Sequence, residues 1–543
     1  MLRASIRREF LAVCFLLGST ALLPGALAQT DDDDLTEAGE DVQEVLEYYE
    51  DGVDNEAEDI AVAGVFHRER LYVAATTTTS LEGENAGGTD FIVKSFDEDL
   101  EPDEFAQYGG DGDDIVYAMA ADDVSLDIVI VGSTESDDEN LFGLGTPTGL
   151  KDWFIALLDR EDLTLNQAYV NGTTNDDQEA TVVAVTSDGD YIVAGWTWGE
   201  YFATNAGADN DEDEVGYDVW VIKINSDLDA NGGDYEWTRQ FGTEAYDEPT
   251  SIVIDESTGY VFVTGTTTDV HDLVADADDT PNIFVYCLEV DTGDTVWSRT
   301  TALGVQSDGS QTQAHGTVIS EDGAEIYVSG NTKGVIPGFE GEETDETELF
   351  VMGLDIEEGL TNWVYQSESN ATVFGTAGVV LAGDGSPIIG GYAFGNQFNL
   401  SSSYWQNGAG DMIAAKIDPE TQEVLKYFVV AAASNLTQER GLAMVKVDDL
   451  DDGVYLIGRE NGAFDDEESV GNDEDLNYLV VKVELEDLPE EEDDDDDDDD
   501  SSDWGAYWPI GLAVYGLGGI VFCGFYKWAE YSVAQKARMA TMV

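Results

Sequence analysis

Seven copies of one short pattern recur along this sequence, and the repetition restricts the fold more than any other feature. The copies begin 62 to 66 residues apart. They are TDFIVKSFD (89–97), KDWFIALLD (151–159), YDVWVIKIN (217–225), PNIFVYCLE (281–289), TELFVMGLD (347–355), GDMIAAKID (410–418) and LNYLVVKVE (476–484). Apolar, β-branched and aromatic residues dominate these runs, so each run is predicted to be a β-strand.

The stretch 247–268 shows most clearly what surrounds each copy. Two extended runs, Ser251–Ile254 and Tyr260–Thr264, flank a turn and predict a tight hairpin upstream of the copy at 281–289. A fourth extended run follows at 295–301. Each repeat is therefore predicted to be a four-stranded antiparallel unit. Short-strand units repeated at this period form a propeller or a solenoid, and a closed ring of seven is the simpler solution.

The two ends of the repeat region indicate how the ring closes. The last copy has no fourth strand after residue 484, whereas the segment 45–59 has the order of aromatic, glycine and acidic residues that follows fourth strands elsewhere. We expect this N-terminal segment to complete the seventh blade, because a borrowed strand removes an exposed sheet edge. The predicted fold class is all-β, a seven-bladed β-propeller over residues 44–488 closed by an N-terminal strand.

The N-terminus resembles a secretion signal in composition. Arg3, Arg7 and Arg8 precede an apolar run that is too short to span a bilayer, and small residues follow it before Gln29. Residues 1–28 are therefore predicted to be a signal peptide.

The C-terminus contains a segment that is long enough to cross a membrane. Residues 506–526 carry no charge, and Lys527, Lys536 and Arg538 lie beyond them. Because positive charge favours the cytoplasmic side, we predict one transmembrane helix and a short cytoplasmic tail at 527–543. The propeller is then expected outside the cell, or in the lumen, on a single-pass type I protein of the cell membrane or another secretory-pathway membrane.

The charge of the chain limits its partners. It has 117 acidic and 21 basic residues, and a formal net charge of −96. Repulsion makes nucleic acid and anionic membrane surfaces poor partners, and leaves cations and basic proteins. Acidic runs predict a disordered leader at 29–43 and an extended stalk at 489–505.

Cysteine usage excludes a disulfide within the exported body, where Cys287 is the single cysteine. Its place in a strand favours a buried, unreactive thiol.

The repeat resembles the SBBP family of seven-bladed β-propeller repeats, whose units follow the order D, I-x-V-D, G-x-x-Y-V-x-G-x-T and F-V-x-K-L. The positions that match best are Asp247, Ile252, Val253, Asp255, Tyr260, Val263, Gly265 and Thr267. The family's lysine is retained at Lys94, Lys223, Lys416 and Lys482. The resemblance implies the propeller fold and no shared activity.

A weaker similarity, to quinone-cofactor propellers, rests on the motif DTGDTVW at 291–297. One short motif does not establish an enzyme, because one fold hosts many unrelated functions. The sequence shows no catalytic constellation, so no catalytic residue is predicted and no cofactor is required.

Long loops connect second strands to third strands, for example at 133–149, 197–216 and 459–475. These loops lie on one face of a propeller, and binding is usually found where long loops meet a rigid scaffold. The candidate partner surface on this face consists of Trp196, Trp198, Tyr201 and Phe202. The alternative is that these rings pack against the neighbouring loop.

Four glycosylation sequons are predicted to lie on the same face: Asn171, Asn370, Asn399 and Asn435. If they carry glycans, the loops of blades 1 to 4 remain the more accessible docking area.

Acidic connections between the strands offer the hard oxygen ligands that Ca²⁺ prefers. The candidate ligands are Asp111, Asp113, Asp114, Asp209, Asp211 and Asp213. Their spacing does not match an EF-hand loop, and aspartate in turns commonly bonds its own backbone instead. Calcium is therefore an optional ligand.

These observations favour a surface-displayed recognition or adhesion module that binds an extracellular protein or glycan. If the acidic connections bind Ca²⁺, this recognition is expected to depend on calcium. The alternatives are a propeller enzyme of the quinone or hydrolase type, and a passive acidic coat that holds cations. A bound chromophore would favour the enzyme, and weak, non-saturating ion uptake would favour the coat.

Overall fold

The computed structural model describes most of the repeat region. The described residues are 42–47, 60–78, 87–98, 100–136, 142, 151–173, 176–204, 216–228, 235–243, 246–267, 282–299, 312–339, 346–367, 372–394, 411–430, 438–447, 451–461, 476–487, 513–515 and 520–522.

The first four blades are four-stranded antiparallel sheets whose strands follow one another in chain order. Blade 1 consists of β2 (Ile60–His67), β3 (Arg70–Thr77), β4 (Asp90–Phe96) and β5 (Pro102–Tyr108). Blade 2 consists of β6 (Asp114–Ala121), β7 (Asp127–Thr134), β8 (Asp152–Asp159) and β9 (Leu165–Asn171). Blade 3 consists of β10 (Gln178–Val185), β11 (Tyr191–Thr197), β12 (Asp218–Ile224) and β13 (Trp237–Phe241). Blade 4 consists of β14 (Asp247–Asp255), β15 (Tyr260–Thr267), β16 (Asn282–Glu289) and β17 (Thr295–Arg299).

Blade 5 has the same arrangement, whereas blades 6 and 7 each include a strand from one end of the repeat region. Blade 5 consists of β18 (Thr312–Ile319), β19 (Glu325–Thr332), β20 (Glu348–Asp355) and β21 (Thr361–Gln366). Blade 6 consists of β22 (Thr372–Leu381), β23 (Pro387–Phe394), β24 (Asp411–Ile417) and β25 (Val424–Val430), with β29 (Glu486–Asp487) added at its outer edge. Blade 7 consists of β26 (Gln438–Lys446), β27 (Gly453–Asn461), β28 (Leu476–Glu484) and β1 (Val42–Glu47).

The prediction of an all-β, seven-bladed propeller is confirmed. The first strands of the blades contact one another in the order β2, β6, β10, β14, β18, β22, β26 and back to β2. The seven sheets therefore close into a ring around a central axis that the first strands surround.

The ring closes through an N-terminal strand, as the sequence predicts. β1 pairs antiparallel with β28, from Val42 opposite Val483 to Glu47 opposite Leu479. The strand begins three residues before the predicted segment 45–59, and residues 48–59 lie outside the described residues. Pairing the first strand with the last repeat gives blade 7 the outer edge that its own repeat lacks.

The third strands form the core of each blade. All seven residues of β4 and of β12 are buried, as is every residue of β8 and β20 except the last. Both faces of such a strand are covered because each blade packs between two neighbours. Cys287 in β16 shares this environment, and burial raises the pKa of its thiol to about 12. The expected buried thiol is found.

Each first strand contains a bulge at an equivalent place. In six blades a single residue is left out of the pairing with the second strand: Val62, Tyr117, Thr181, Thr250, His315 and Leu442. In β22 the shift lies between Phe374 and Gly378. Bulges increase the local twist of a strand and redirect its side chains. Because the first strands surround the central axis, the same change in twist recurs in every blade around it.

A tryptophan in the outermost strand of blade 3 docks onto blade 4. Trp237 Nε1 donates a hydrogen bond to the Val290 carbonyl oxygen over 2.8 Å. The indole ring lies against Gly293, whose φ of +68° belongs to the left-handed region that favours glycine. Arg239 Nε donates to the Gly293 carbonyl oxygen over 2.7 Å. Glycine is required here for two reasons, the backbone conformation and the space that the ring occupies.

The same contact joins blade 4 to blade 5. Trp297 Nε1 donates to the Ile356 carbonyl oxygen over 3.1 Å, and its ring lies against Gly359, whose φ is +65°. The motif DTGDTVW at 291–297 thus supplies the glycine of one blade contact and the tryptophan of the next. This geometry gives the motif a structural role that involves no cofactor.

The lysine retained in four repeats is buried near the face opposite the long loops, which we call the tight-turn face. Lys223 Nζ lies 2.8 Å from Glu236 Oε2 and 3.3 Å from Asp190 Oδ2. Lys482 Nζ donates to the Glu98 carbonyl oxygen of blade 1 over 2.7 Å. The apolar stems of these lysines fill the blade while their charged ends bond turns at its rim.

The predicted C-terminal helix at 506–526 lies mostly outside the described residues. Within it the structure describes β30 (Ala513–Tyr515) and β31 (Ile520–Phe522), which pair antiparallel. Among the residues that the structure describes, no helix is long and apolar enough to cross a bilayer. The signal peptide at 1–28, residues 29–41 of the predicted leader, the stalk at 489–505 and the tail at 527–543 are also outside the described residues. The last two residues of the predicted leader, Val42 and Gln43, instead belong to β1, which pairs with β28.

Candidate functional site

The long-loop face is formed by the ends of the second strands, the starts of the third strands and the starts of the first strands. Trp196 lies near the end of β11 and Trp198 directly follows that strand, so both belong to the stem of the loop at 197–216. Residues 205–215 of that loop are outside the described part of the chain.

Trp196 and Trp198 belong to a group of four rings from blades 3 and 4, which we call the aromatic cluster: Trp196, Trp198, Tyr217 and Tyr246. Ring centroids are 4.7 Å apart for Trp196 and Tyr217, and 4.9 Å apart for Tyr217 and Tyr246. The Trp198 ring stands at 73° to Tyr217 and at 80° to Tyr246, with centroid distances of 5.5 and 5.9 Å. Tyr246 keeps 38% of its surface exposed. The cluster therefore presents a half-buried aromatic surface to solvent.

Tyr201 and Phe202 belong to a different group of rings, which packs around Trp220. Both rings pack against Trp220, and Trp153 Nε1 donates to the Tyr201 hydroxyl oxygen over 2.8 Å. Gln240 Oε1 accepts the backbone N–H groups of Tyr201 and Phe202 over 3.0 and 2.8 Å. The four candidate residues are thus divided between two groups of rings, and the group that contains Trp196 and Trp198 reaches solvent through the exposed ring of Tyr246.

A buried ion pair borders the aromatic cluster on the side of blade 2. Lys151 Nζ lies 2.7 Å from Glu179 Oε1 and 3.5 Å from Glu135 Oε1. The Tyr117 hydroxyl also hydrogen-bonds the Glu179 carboxylate. Burial by itself lowers the pKa of Lys151, but the bonds to the two glutamates outweigh it and raise the pKa above its ordinary value. The Glu179 carboxylate is therefore paired within the protein.

Glu248 borders the cluster on the side of blade 4 and differs from Glu179 in its partners. Its side chain is exposed to solvent, and among the described residues none forms a hydrogen bond or ion pair with its carboxylate. Desolvation by the surrounding protein, followed by the nearby Glu179 carboxylate, raises the pKa of Glu248. The site thus combines exposed aromatic surface with an uncompensated carboxylate.

Sequence reasoning does not single out Tyr217 or Tyr246. A signal is present, because Tyr217 and Tyr246 each directly precede the aspartate that opens a strand, Asp218 and Asp247. That pattern becomes informative only when blades 3 and 4 are seen to lie side by side.

The acidic connection after blade 1 uses its carboxylates in local bonds. Asp113 Oδ1 accepts the Thr89 N–H over 2.8 Å, and Asp114 Oδ2 accepts the Gly110 N–H over 2.5 Å and the Ser136 hydroxyl over 3.1 Å. Asp111 is exposed, and Asp209, Asp211 and Asp213 are outside the described residues. Within the described part of the chain, no group of three or more potential ligand side chains is arranged to hold a metal ion. Calcium binding stays a prediction.

The junction between blades 3 and 4 contains two buried carboxyl groups on either side of Gly242, those of Asp218 and Asp247. Asp247 Oδ2 accepts the Thr243 N–H over 2.5 Å and the Thr243 hydroxyl over 2.9 Å. Desolvation is the main reason that the pKa of Asp247 is raised to about 6, and the Asp218 charge adds to it. The equivalent position in blade 3 is Gln178, which has a neutral side chain.

We expect Asp247→Asn to raise stability near neutral pH. The folded-state pKa lies above the ordinary value of 3.8, so the stability linked to the bound proton is complete below 3.8 and is lost as the pH rises through about 6. Asparagine is neutral at every pH. We therefore expect the free energy of unfolding to rise by about 2 kcal/mol at pH 7 and this difference to disappear in acid. Denaturant unfolding of both proteins on either side of this pH window, at constant ionic strength, measures the difference.

Asp255→Asn, at the other end of β14, provides a control with the opposite sign. Bonds from Thr258 and Ser257 outweigh the opposing effect of burial and lower the pKa of Asp255, so this substitution should cost most above the ordinary carboxylate pKa. If Asp247→Asn changes stability equally on both sides of the window, the raised pKa of Asp247 is refuted.

One of the four glycosylation sequons lies in the described residues. Asn171 Nδ2 donates to the Tyr169 hydroxyl over 2.9 Å and to the Tyr235 hydroxyl over 2.5 Å. A glycan on this nitrogen would replace one of the two hydrogens that these bonds use. Asn370, Asn399 and Asn435 lie outside the described residues, so occupancy of all four stays a prediction.

Comparisons with known proteins agree with the fold. A family model described as a beta-propeller repeat, SBBP, matches residues 236–270. No curated protein matches the chain. Similar solved structures include a puromycin-hydrolyzing peptidase from Mycobacterium tuberculosis, with 13% identity and a TM-score of 0.43 over 82% of this chain and 54% of that one. The chain thus spans about half the length of that peptidase.

Two further solved structures are similar over most of both chains. The periplasmic gluconolactonase PpgL of Pseudomonas aeruginosa has 13% identity and a TM-score of 0.37, over 79% of this chain and 96% of that one. Drosophila Plexin A, in complex with Semaphorin 1b, has 8% identity and a TM-score of 0.40, over 82% of this chain and 87% of that one. Similarities this weak carry no argument about activity or partner. The chain is a seven-bladed β-propeller that contains a beta-propeller repeat of the SBBP family at residues 236–270.

Proposed function

We propose that this protein is a recognition module that binds a basic protein partner through its long-loop face. The binding surface is centred on the aromatic cluster and extends over blades 2 to 4. The propeller supplies a rigid scaffold, and the partner supplies positive charge.

The observation that carries this proposal is the partly exposed aromatic surface beside the Glu248 carboxylate, which no described residue bonds. Tyr246 is exposed and Trp198 is partly exposed, and both rings are fixed by packing within the cluster. Rigid tyrosine and tryptophan side chains are enriched at interfaces because they contribute large contact areas at small entropic cost. Glu248 then gives the surface a preference for positive charge.

The charge of the whole chain supports a basic partner. A formal net charge of −96 attracts cationic proteins at long range and repels anionic surfaces. Long-range attraction raises the association rate, whereas specificity must come from the close contacts at the aromatic cluster. The association rate therefore depends on the net charge of the chain, and specificity depends on the aromatic cluster.

Display at a membrane belongs to the same proposal. The predicted signal peptide at 1–28 and the apolar segment at 506–526 support a type I surface protein, with the acidic stalk at 489–505 separating the propeller from the bilayer. In that arrangement the ring is held outside the membrane and is accessible to soluble or surface-bound partners.

Selection of short random peptides on the purified full-length protein, at physiological ionic strength, tests the proposal. We expect the selected peptides to be rich in lysine and arginine. They should bind the double variant Trp198→Ala, Tyr246→Ala at least about tenfold more weakly, as is typical when interface hot-spot residues are truncated. Affinities are measured by calorimetry, and circular dichroism verifies that the variant is folded.

Leu360→Ala with Val296→Ala is the matched control, since these apolar side chains are exposed by 52% and 38% and lie toward the tight-turn face of blades 5 and 4. It should leave peptide binding unchanged. Selection of peptides without basic residues, or equal binding to the wild type and the Trp198, Tyr246 variant, would refute the proposed surface.

A further inference from the structure

We propose that Glu248 and Tyr246 form a site for an arginine side chain of the partner, with the guanidinium bonded to the carboxylate and stacked on the tyrosine ring. This inference rests on the proposed function and specifies which side chain the surface recognises. It is carried by the strand geometry, by the pairing of the neighbouring carboxylates and by the arrangement of the rings.

The start of β14 places the two residues on the same side of the chain. Along Tyr246, Asp247, Glu248 and Pro249 the side chains alternate between exposed and buried. Asp247 is 2% exposed and bonds Thr243 in the interior, whereas Tyr246 and Glu248 are both exposed. Because alternate side chains of an extended segment point to the same side, a ring and a carboxylate are presented together to solvent.

Two neighbouring carboxylates are bonded inside the protein, whereas no described residue bonds the carboxylate of Glu248. Glu179 is paired with Lys151, and Asp247 accepts two bonds from Thr243. No described residue pairs with the Glu248 carboxylate, although the surrounding protein partly excludes water from it. A partly desolvated, unpaired charge gains more from an arriving cation than a fully hydrated one does, because the effective dielectric is lower.

The rings favour arginine over lysine. Tyr246 and Tyr217 are tilted at 50° to each other, and Trp198 stands at 80° and 73° to them. The cluster therefore presents ring faces and ring edges in different directions at one surface. A planar guanidinium can stack on an aromatic face and bond a carboxylate at the same time, whereas an ammonium group is a compact, strongly hydrated point charge.

The chemistry of the site also separates it from a calcium site. Ca²⁺ takes six to eight oxygen ligands, and within the described part of the chain the Glu248 carboxylate belongs to no group of three or more potential ligand side chains. The organic cation is therefore the ligand that fits the residues present.

The test uses three small probes on the purified full-length protein: the blocked amino acids Nα-acetyl-arginine amide, Nα-acetyl-lysine amide and Nα-acetyl-citrulline amide. Citrulline has nearly the shape of arginine without its charge. Saturation-transfer NMR titrations give the affinities. We expect saturable arginine binding, about tenfold weaker binding of citrulline, and lysine binding intermediate between them.

Glu248→Gln should weaken arginine binding about tenfold and leave citrulline binding nearly unchanged, because only the charged probe uses the carboxylate. Tyr246→Leu should weaken arginine binding more than lysine binding. The control is Asp291→Asn, which removes one exposed carboxylate from the tight-turn face of the same blade. Asp291→Asn should change nothing.

Several outcomes would overturn the arginine site. These are equal affinities for arginine and citrulline, an unchanged affinity in Glu248→Gln, and an equal loss in Asp291→Asn, which would indicate general charge attraction.

The peptide selection separates this inference from the proposed function. If selected peptides depend on Trp198 and Tyr246 while Glu248→Gln has no effect, the docking surface stands and the arginine site is wrong. If arginine amide binds through Glu248 while the selected peptides ignore the aromatic cluster, the arginine site stands and the docking function is wrong.

Discussion

Replacing Gly293 with alanine is expected to lower the free energy of unfolding by about 3 kcal/mol, through two separate costs. The φ of +68° is unfavourable for any residue with a Cβ, which accounts for about 1 kcal/mol. A Cβ at this position would lie 2.5 Å from Cε3 of Trp237, so the ring that docks blade 3 onto blade 4 must move. Overpacking of this kind typically costs about 1–3 kcal/mol. Chemical denaturation of the full-length protein measures the sum.

Gly259→Ala separates the two costs. Gly259 has a similar φ of +73°, but a Cβ there would meet nothing within 4 Å. Its substitution should cost only the backbone part, about 1 kcal/mol. Gly359→Ala should reproduce the full effect at the next junction, where the Trp297 ring takes the place of Trp237. Equal losses in Gly293→Ala and Gly259→Ala would show that the docked tryptophan does not restrict this position.

Replacing Lys416 with methionine is expected to destabilise the junction between blades 6 and 7 by about 3 kcal/mol. Lys416 Nζ lies 2.7 Å from Asp384 Oδ2 in its own blade and 2.6 Å from Asp452 Oδ1 in the turn between β26 and β27. Lys416 and Asp452 are both buried, so methionine preserves the apolar stem but leaves a buried carboxylate with one fewer partner. Breaking a buried pair costs more than the pair itself contributes, because the remaining charge stays desolvated.

Acid should remove most of this loss. Burial by itself raises the pKa of Asp452, but the bonds from Lys416 and Lys426 outweigh it and hold the pKa below its ordinary value of 3.8. The stability from these bonds is therefore present above pH 3.8 and is lost as the pH falls through the lower, folded-state value. The difference in unfolding free energy between the wild type and Lys416→Met is expected to shrink across that window.

Lys426→Met is the control for Lys416→Met. Lys426 Nζ lies 3.1 Å from Asp452 Oδ2, but its side chain is more exposed than that of Lys416. Its loss should cost less than about 1 kcal/mol, since partly exposed ion pairs are screened by water. A loss as large as that of Lys416→Met would mean that burial does not determine the strength of these bonds.

The repeats and their strands could be read from the sequence because the signals are local. The predicted strand at 476–484 coincides with β28, and the predicted strands at 251–254 and 260–264 lie within β14 and β15, which are longer. Side-chain alternation and turn residues act over a few positions, so they identify a strand without knowledge of its neighbours. β14 and β15 are longer than the predicted strands because their pairing with each other continues beyond the predicted residues.

The candidate site could be predicted only in part. Trp196 and Trp198 lie in the aromatic cluster beside the exposed Tyr246, whereas Tyr201 and Phe202, a few residues further along, pack against Trp220. Nothing in the local sequence separates the two pairs, because the difference depends on Gln240, which holds the backbone of the loop from another strand. Loop conformation is determined by contacts that are distant in sequence.

The sequence is sufficient to predict the number of blades, the strand order within each blade and the closure by an N-terminal strand. These properties follow from periodic hydrophobicity and from the need to cover a sheet edge. The contacts of side chains across a junction are visible only in the folded protein. Gly293 accommodates Trp237, and Glu179 is paired, whereas no described residue bonds the carboxylate of Glu248. Packing and charge compensation join adjacent blades through residues that are tens of positions apart, where local patterns carry no information.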